Sequence, residues 1–356
     1  MNPPRLAYVL AALLAAAAVL AAACGKDAQG SSSNSTASSS QSVTLHLGYF
    51  PNITHSQAIV GIANGTFAKD LGANVKLQTK TFNAGPDEVQ ALFAGSIDIA
   101  YVGPNPAVTG YINSKGEALR VIAGATSGGA LLVIRPGAGI NSPADLAGKR
   151  LATPQLGNTQ DVALRNYLAA HGLKAKEDGG NVTILPEANA DTLTLFKKGD
   201  IDGAWVPEPW ASRLVNEAGG KVFVDERSLW PNNQFATTIV VVRKAFLNDH
   251  PHVVEAFLKA HVETTRYIQE NPAAAENIVN DAIHKLTGQA LSDTVITSAW
   301  SHMQVTYDPI ASSITSSAEA AYHLGFLKSQ PDLAAMYDLG PLNTVLGNLG
   351  LDQVSN

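Results

Sequence analysis

The stretch AGPDEVQALFAGSIDIAYV at residues 84–102 returns as ANADTLTLFKKGDIDGAWV at residues 188–206, without a gap and at an offset of 104 positions. In each copy a helix-like segment ends on a glycine, Gly95 or Gly199, and the next residues alternate as in a strand. This pattern predicts two similar α/β halves in one chain.

Each repeated strand runs into a proline-rich turn that opens another helix, at residues 103–106 in the first copy and 207–210 in the second. Open α/β sheets bind ligands where strand ends meet helix N-termini. Two such ends from two lobes therefore predict a cleft that holds a small molecule.

The first 24 residues indicate export. Arg5 precedes an apolar run at residues 6–23, and this run stops at Cys24, the single cysteine of the chain. Small residues before a cysteine are similar to a bacterial lipoprotein signal, although Ala21 stands where such signals most often have Leu. The alternative is an uncleaved membrane anchor, since 18 apolar residues can just span a bilayer. We expect a signal peptide at residues 1–23 and lipidation at Cys24.

The segment that follows, residues 24–42, is rich in Ser and nearly lacks apolar side chains, so it predicts a flexible tether. The remaining chain is long enough for two lobes. A net charge of −6 without a basic run argues against binding to nucleic acid and against electrostatic membrane binding.

Strand-like and helix-like segments alternate through the first two thirds of the chain, which predicts mainly parallel sheets covered by helices, with a helical C-terminal region. We expect lobe 1 at residues 43–133, lobe 2 at 134–237, and a return to lobe 1 at 238–356. Two β-rich runs, 130–134 and 238–242, flank the second lobe, and we interpret them as paired hinge strands.

Motifs in a fixed order make the chain similar to solute-binding proteins of ABC importers, in the branch that includes aliphatic sulfonate, taurine and nitrate binders. The motifs are GYFP at 48–51, GSIDIA at 95–100 with Gly103, SPADLAGKR at 142–150, GDIDGAW at 199–205, EPW at 208–210, and VRKAF at 242–246 before His250 and Pro251. The resemblance implies a two-lobed venus-flytrap fold, capture of a small solute outside the cytoplasmic membrane, and delivery to a membrane permease and its ATPase. We expect a monomer without a cofactor.

Several helix N-termini are predicted to converge in the cleft, and their free N–H groups can hold an anionic head group without a buried arginine. Hydroxyl and amide side chains at the same places are candidate ligand donors, although such residues are also common helix caps. The candidates in these loops are Asn52, Thr54, His55, Gly85, Gly103, Asn105, Ser127, Asn158, Thr159, Gln160 and Gln234.

Aromatic residues at the strand ends could contact an apolar ligand body or pack the lobe edges; these are Tyr49, Phe50, Tyr101, Trp205 and Trp210. Glu208 could cap a helix or pair with an amine on the ligand. We predict Tyr49, Phe50, Trp205, Glu208 and Trp210 as site residues.

Catalysis has little support in the sequence. Asp98 and Asp202 occupy equivalent places in the repeat, and we expect them to accept hydrogen bonds from nearby backbone or turn donors. The nine histidines lack a metal-binding spacing such as HExxH, and neither a Walker loop nor Gly-x-Ser-x-Gly occurs. The chain also resembles the suicidal thiamine-pyrimidine synthase in its implied fold, but that family carries a cysteine-rich iron motif that a single cysteine cannot supply. We predict a non-enzymatic protein.

The predicted solute is a small oxyanion-bearing organic molecule, an alkylsulfonate or taurine. Nitrate or bicarbonate, a pyrimidine-type heterocycle, and a role in presenting a ligand to a membrane sensor kinase are the alternatives.

Substitution of the predicted lipid site tests the export signal. Cys24→Ala should leave the unprocessed precursor in place and abolish incorporation of labelled fatty acid, because the cysteine sulfur is the acceptor. A labelled Cys24→Ala protein would contradict the assignment.

Overall fold

The structure is a computed structural model that describes residues 42–356, so the predicted signal peptide, Cys24 and the tether up to residue 41 lie outside the described part. Two sheets organise the described chain: a six-stranded sheet of order β11-β4-β10-β3-β1-β2 and a five-stranded sheet of order β7-β6-β8-β5-β9. The strands are β1 Val43–Tyr49, β2 Val75–Thr81, β3 Ile99–Val102, β4 Leu119–Gly128, β5 Ala130–Ile134, β6 Arg150–Thr153, β7 Thr183–Pro186, β8 Gly203–Pro207, β9 Lys221–Asp225, β10 Ala236–Arg243 and β11 Met303–Val305. We call the part built on the six-stranded sheet lobe 1 and the part built on the five-stranded sheet lobe 2.

Helices cover both faces of each sheet. They are α1 Ser56–Ala63, α2 Thr66–Leu71, α3 Gly85–Phe93, α4 Pro104–Asn113, α5 Thr159–Ala170, α6 Asn189–Lys198, α7 Trp210–Ala218, α8 Lys244–Asp249, α9 Pro251–Glu270, α10 Pro272–Thr287, α11 Asp293–Ser301, α12 Ala311–His323 and α13 Gly340–Asn348.

Alternation along the central strands explains why both faces need a cover. In β5, Leu132 and its alternate neighbours face one hydrophobic cluster of lobe 2, whereas Leu131 and Val133 face the other. Val240 and Val241 of β10 divide in the same way between the two clusters of lobe 1. Successive side chains of a strand point to opposite faces, so a fully apolar run is buried on both.

The sequence repeat corresponds to a structural repeat. Helix α3 and strand β3 of lobe 1 lie at the 104-residue offset from α6 and β8 of lobe 2. The backbone N–H of His46 donates to Asp98 Oδ2 at 3.0 Å, and that of Arg150 donates to Asp202 Oδ2 at 2.9 Å. The prediction that these aspartates satisfy backbone donors is confirmed.

The C-terminal helices pack on lobe 1, as predicted. Phe257 and Leu258 of α9 share a hydrophobic cluster with Leu45 and Leu47 of β1. His261 of α9 is buried, and its Nε2 donates to the carbonyl oxygen of Gly124 at 2.9 Å. Nδ1 of the neutral ring therefore accepts from Tyr101 Oη at 2.7 Å. Helix α9 therefore covers the face of β1 and β3.

The sheets are mixed, which corrects the expectation of mainly parallel sheets. Strand β1 runs parallel to β2 and β3, and β6 runs parallel to β7 and β8. The remaining pairs, which involve β10 with β3 and β4, β11 with β4, and β5 with β8 and β9, are antiparallel. Strands β5 and β10 each enter their sheet from the other lobe, without the helical crossover that makes neighbours parallel.

The prediction that residues 130–134 and 238–242 pair with each other is wrong. Strand β5 pairs within lobe 2 and β10 within lobe 1, where the two occupy equivalent positions. The first crossing occurs at Gly128 and Gly129, whose φ angles of 77° and 79° lie in the left-handed region that favours glycine. The chain returns through two 3-10 turns, Glu226–Leu229 and Pro231–Asn233. A short apolar strand does not reveal from its own sequence which sheet it joins.

Candidate functional site

A small cavity lies between the lobes, where the loops after β1, β3, β6 and β8 meet. Its volume is about 30 Å³, and it is lined by Phe50, Asn52, Thr54, His55, Gly85, Gly103, Pro106, Asn158, Thr159, Gln160, Pro207, Thr237 and Thr238. Lobe 1, lobe 2 and the returning strand β10 all contribute to the wall. We call it the cleft cavity.

The structure brings nine of the candidate residues together in the cleft cavity: Phe50, Asn52, Thr54, His55, Gly85, Gly103, Asn158, Thr159 and Gln160. It also adds four residues that were not candidates, Pro106, Pro207, Thr237 and Thr238. The two threonines lie near the start of β10. The sequence predicted a strand here, directly after lobe 2. It did not show that this strand joins its sheet antiparallel, so that its first residues reach the cleft.

His55 is a neutral hydrogen-bond donor. The Phe50 backbone N–H donates to His55 Nδ1 at 3.2 Å, and the two rings stack at 4.4 Å. Full burial lowers the pKa of His55 to about 3. Because Nδ1 accepts, the proton of the neutral ring sits on Nε2, which has no hydrogen-bond partner among the described residues.

The side-chain oxygens of Asn158 and Gln160, like Nδ1 of His55, accept hydrogen bonds from protein groups. The Asp161 backbone N–H donates to Asn158 Oδ1 at 2.8 Å, so Asn158 Nδ2 is the atom that donates to Gln160 Oε1 at 3.1 Å. This assignment leaves Gln160 Nε2 as a free donor at the cavity. The Asn158 carbonyl oxygen meanwhile caps helix α5.

Asn52 is oriented across the cleft. Trp210 of lobe 2 donates its indole N–H to Asn52 Oδ1 at 3.1 Å. An indole nitrogen can only donate, so the contacted atom of Asn52 is its carbonyl oxygen and Nδ2 remains as a donor. Arg213 stacks on the Trp210 ring at 4.7 Å and supports it from the other side.

Thr159 stands at the start of α5, where the helix leaves its first backbone N–H groups without an intrahelical acceptor. Its buried Oγ1 atom lacks a hydrogen-bond partner among the described residues. A Cβ atom at Gly103 would lie 2.4 Å from this hydroxyl oxygen, so only glycine at that position lets lobe 1 approach Thr159. A buried hydroxyl without a protein partner can hydrogen-bond to a ligand or to water in the cavity.

Helix N-termini contribute less than predicted. Helix α4 starts with Pro104 and Pro106, which carry no N–H. Helix α7 is capped by Glu208, whose Oε2 accepts from the Ser212 backbone N–H at 3.0 Å. Helix α5 differs from α4 and α7, because its first turn offers free backbone N–H groups at the cavity.

Glu208 also joins the two lobes, but it does not line the cleft cavity. It is fully buried, accepts from Ser212 Oγ at 2.9 Å, and contacts His302 Nδ1 of lobe 1 at 2.7 Å. Its carboxylate therefore serves α7 and the contact between the lobes. The prediction of Glu208 as a cavity residue is not supported, whereas the alternative of a helix-capping carboxylate is confirmed.

Six further predicted site residues do not line the cleft cavity. The alternation of β1 directs Tyr49 into the core of lobe 1, and Trp205 lies in the core of lobe 2. The amide of Asn105 is bonded to Ser317 of α12 through its oxygen at 2.7 Å and its nitrogen at 3.3 Å. Ser127 and Gln234 line a separate polar pocket. Trp210 is not a lining residue, but it donates a hydrogen bond to the lining residue Asn52.

Charge is absent from the wall of the cleft cavity. None of its lining residues is Asp, Glu, Lys or Arg, and its histidine is neutral. Among the described residues, no group of three or more His, Cys, Asp or Glu could hold a metal ion. The same part of the chain also contains no helix long and apolar enough to cross a membrane.

The model of the NMT1-like family matches residues 38–282 of this chain. The chain belongs to the NMT1-like family. It is 30% identical over 232 residues to the taurine-binding periplasmic protein of Escherichia coli K12, a match that covers 65% of this chain and 68% of that protein. The resemblance inferred from the motifs is thus confirmed.

Solved structures confirm the two-lobed architecture of this NMT1-like protein. The alkanesulfonate-binding protein SsuA from Xanthomonas axonopodis pv. citri, bound to MOPS, has a TM-score of 0.70 at 18% identity and covers 84% of this chain and 99% of its own. The periplasmic nitrate-binding protein NrtA from Synechocystis PCC 6803 also has a TM-score of 0.70, at 17% identity, and covers 87% of this chain and 89% of its own. At these identities the likeness concerns the fold.

Proposed function

We propose that this protein is the solute-binding component of an ABC importer and that it holds a small organic oxyanion, in the first place an alkylsulfonate, in the cleft cavity. The observation that carries the proposal is the orientation of the polar side chains in the cavity wall. Asn52, His55 and Gln160 each have their acceptor atom occupied by a protein partner, and each keeps a donor for the cavity. The first turn of α5 adds backbone N–H groups.

A wall of neutral donors suits the three oxygens of a sulfonate. Such an anion remains ionised at all physiological pH values, and fixed N–H and O–H dipoles stabilise it without a counter-charge. The phenyl ring of Phe50 and the rings of Pro106 and Pro207 supply apolar contacts for a short alkyl chain.

The ammonium group of taurine finds no carboxylate among the lining residues of the cleft cavity. Glu208, predicted as a partner for an amine, is bonded to Ser212 and His302 instead. The geometry thus supports recognition of the sulfonate end, which taurine shares with simple alkylsulfonates. A pyrimidine, which presents donors as well as acceptors, matches the donors of Asn52, His55 and Gln160 less well.

Nitrate is the second candidate, because its three oxygens can use the same donors and it is smaller than an alkylsulfonate. Bicarbonate is comparable in size but carries a hydroxyl donor, which the amide and imidazole groups of the wall do not accept, so threonine hydroxyls are the acceptors left for it.

Outside the cleft, we propose the cellular arrangement that the sequence predicts. Lipidation at Cys24 and the Ser-rich segment would hold two mobile lobes near the membrane, where a permease and its ATPase receive the solute. Family membership and the apolar N-terminal run support this arrangement. The protein would act without catalysis, because the cavity wall holds no Asp, Glu, Lys or Arg and its histidine is neutral. It would act as a monomer.

Solute screening tests the proposed ligand class. At 100 times its dissociation constant, ethanesulfonate should stabilise the protein by about 2.7 kcal/mol in a thermal-shift assay. Taurine and nitrate are screened in parallel, and ethylamine and thymine are the negative controls.

The pH dependence of binding is a second test. Affinity for ethanesulfonate, measured by calorimetry, should be constant between pH 6 and 8, because His55 with a pKa of about 3 stays neutral there. Stabilisation by ethylamine or thymine alone, or a loss of affinity above pH 6.5, would contradict the proposal.

A double-mutant cycle tests the role of Trp210 in orienting Asn52. Trp210→Phe removes the indole N–H and keeps an aromatic ring, so it should weaken ethanesulfonate binding by roughly 0.5 to 1.5 kcal/mol, the usual value of one hydrogen bond. In an Asn52→Ala background, the same substitution should have little further effect. Equal losses in both backgrounds would show that Trp210 does not act through Asn52. If wild type itself binds none of the oxyanions, the proposed ligand class is wrong.

A further inference from the structure

A second cavity lies between the lobes beside the returning segment and shares helix α5 with the first, at residues further along that helix. It has a volume of about 420 Å³ and is lined by Val162, Ala163, Asn166, Tyr167, Ala170, His171, Glu226, Leu229, Trp230, Pro231, Ser316, Ser317 and Ala320. Helix α5 of lobe 2, the returning 3-10 turns and helix α12 of lobe 1 form its walls. We call it the hinge cavity.

The acidic group in the wall of the hinge cavity is the carboxyl of Glu226. Its residue is 2% exposed, and its partners are two indole N–H groups, Trp205 Nε1 at 2.7 Å and Trp230 Nε1 at 3.4 Å. Two donors orient the carboxyl and leave further lone pairs of its oxygens available.

No cationic side chain neutralises Glu226 among the described residues. The adjacent Arg227 is paired with Asp225, with its Nε 3.0 Å from Asp225 Oδ2. His171, the other titratable group that could become cationic in the wall, uses Nδ1 for a contact of 2.8 Å with the Tyr167 carbonyl oxygen. Burial raises the pKa of Glu226 to about 8, with Asp225 contributing in the same direction. A buried carboxyl without a counter-charge is costly to ionise unless a ligand supplies the cation.

Aromatic rings flank this carboxyl. Tyr167 lies edge-on to Trp205 at 5.6 Å, and Trp230 stacks on Phe235 at 5.7 Å, so both lining rings are held by packing. The faces of tyrosine and tryptophan attract cations. Val162, Ala163 and the half-exposed Leu229 provide an apolar surface beside them.

A carboxyl without a cation, rigid aromatic rings and an apolar wall together match one ligand chemistry. We propose that the hinge cavity binds a small organic amine, with its ammonium group against Glu226 and its apolar body against Tyr167 and Trp230. The amine would supply the missing counter-charge. This inference is independent of the ligand of the cleft cavity.

Titration with 2-phenylethylamine tests the proposal on the full chain at pH 8. Calorimetry should show saturable binding, and the tryptophan emission should change, because Trp205 and Trp230 both contact Glu226. The nearly isosteric neutral 2-phenylethanol and the anionic 3-phenylpropionate should bind at least about tenfold more weakly, since neither supplies a cation. This comparison uses wild-type protein and does not depend on how a variant folds.

Two variants locate the site. Glu226→Gln keeps an oxygen that can accept an indole N–H but removes the charge, and it should weaken amine binding by at least about tenfold. Tyr167→Leu, which keeps an apolar side chain but removes the ring, should weaken it by a smaller factor. Failure of wild type to bind the amine, equal binding of 2-phenylethanol, or unchanged affinity in Glu226→Gln would each overturn the proposal.

Discussion

The chemistry of the cleft depends on one constraint: the side chains of its wall are oriented by hydrogen bonds made at their other ends. The backbone N–H of Phe50 donates to His55 Nδ1, and that of Asp161 donates to Asn158 Oδ1. The indole N–H of Trp210 donates to Asn52 Oδ1. A side-chain amide offers a donor and an acceptor in nearly equivalent positions, so its partner decides which of them a ligand meets. Here each partner takes the acceptor. The result is a cavity of donors that matches an anion without any cationic side chain, and burial, which would be costly for a charged wall, becomes acceptable.

The same hydrogen bonds link recognition to the arrangement of the lobes. Trp210 belongs to lobe 2 and Asn52 to lobe 1, so the donor of Asn52 is oriented only when the two lobes are together. Gly103 permits the close approach of Thr159, and Glu208 with His302 joins the lobes beside the cavity. Helix α5 extends this link, because its first turn borders the cleft cavity and its later turns border the hinge cavity. One helix of lobe 2 thus forms part of the wall of both cavities.

Much of the fold could be predicted from the sequence because the information is local. The repeat at residues 84–102 and 188–206 carries helix, glycine, strand and turn in one order, and both copies form α/β units with an aspartate, Asp98 or Asp202, bonded to the neighbouring strand. The pairing of β5 and β10 could not be predicted, since a run such as ALLVI is equally apolar on both faces in either sheet. For the site, position after a strand end identified Asn52, Thr159 and Gln160. It could not exclude Asn105, whose amide is taken by Ser317, a residue 212 positions away, or Trp205, which alternation and Glu226 commit to the core.

The central claim, that neutral donors between the lobes hold an oxyanion, is tested most directly by a crystal structure of the protein with 2-bromoethanesulfonate, whose bromine can be located by anomalous scattering. The account predicts one sulfonate in the cleft cavity, with its oxygens about 3 Å from Asn52 Nδ2, His55 Nε2 and Gln160 Nε2. Its bromine should lie beside Phe50. A sulfonate bound to a lysine or arginine side chain, or a cleft cavity that stays without the anion while the compound binds elsewhere, would contradict it.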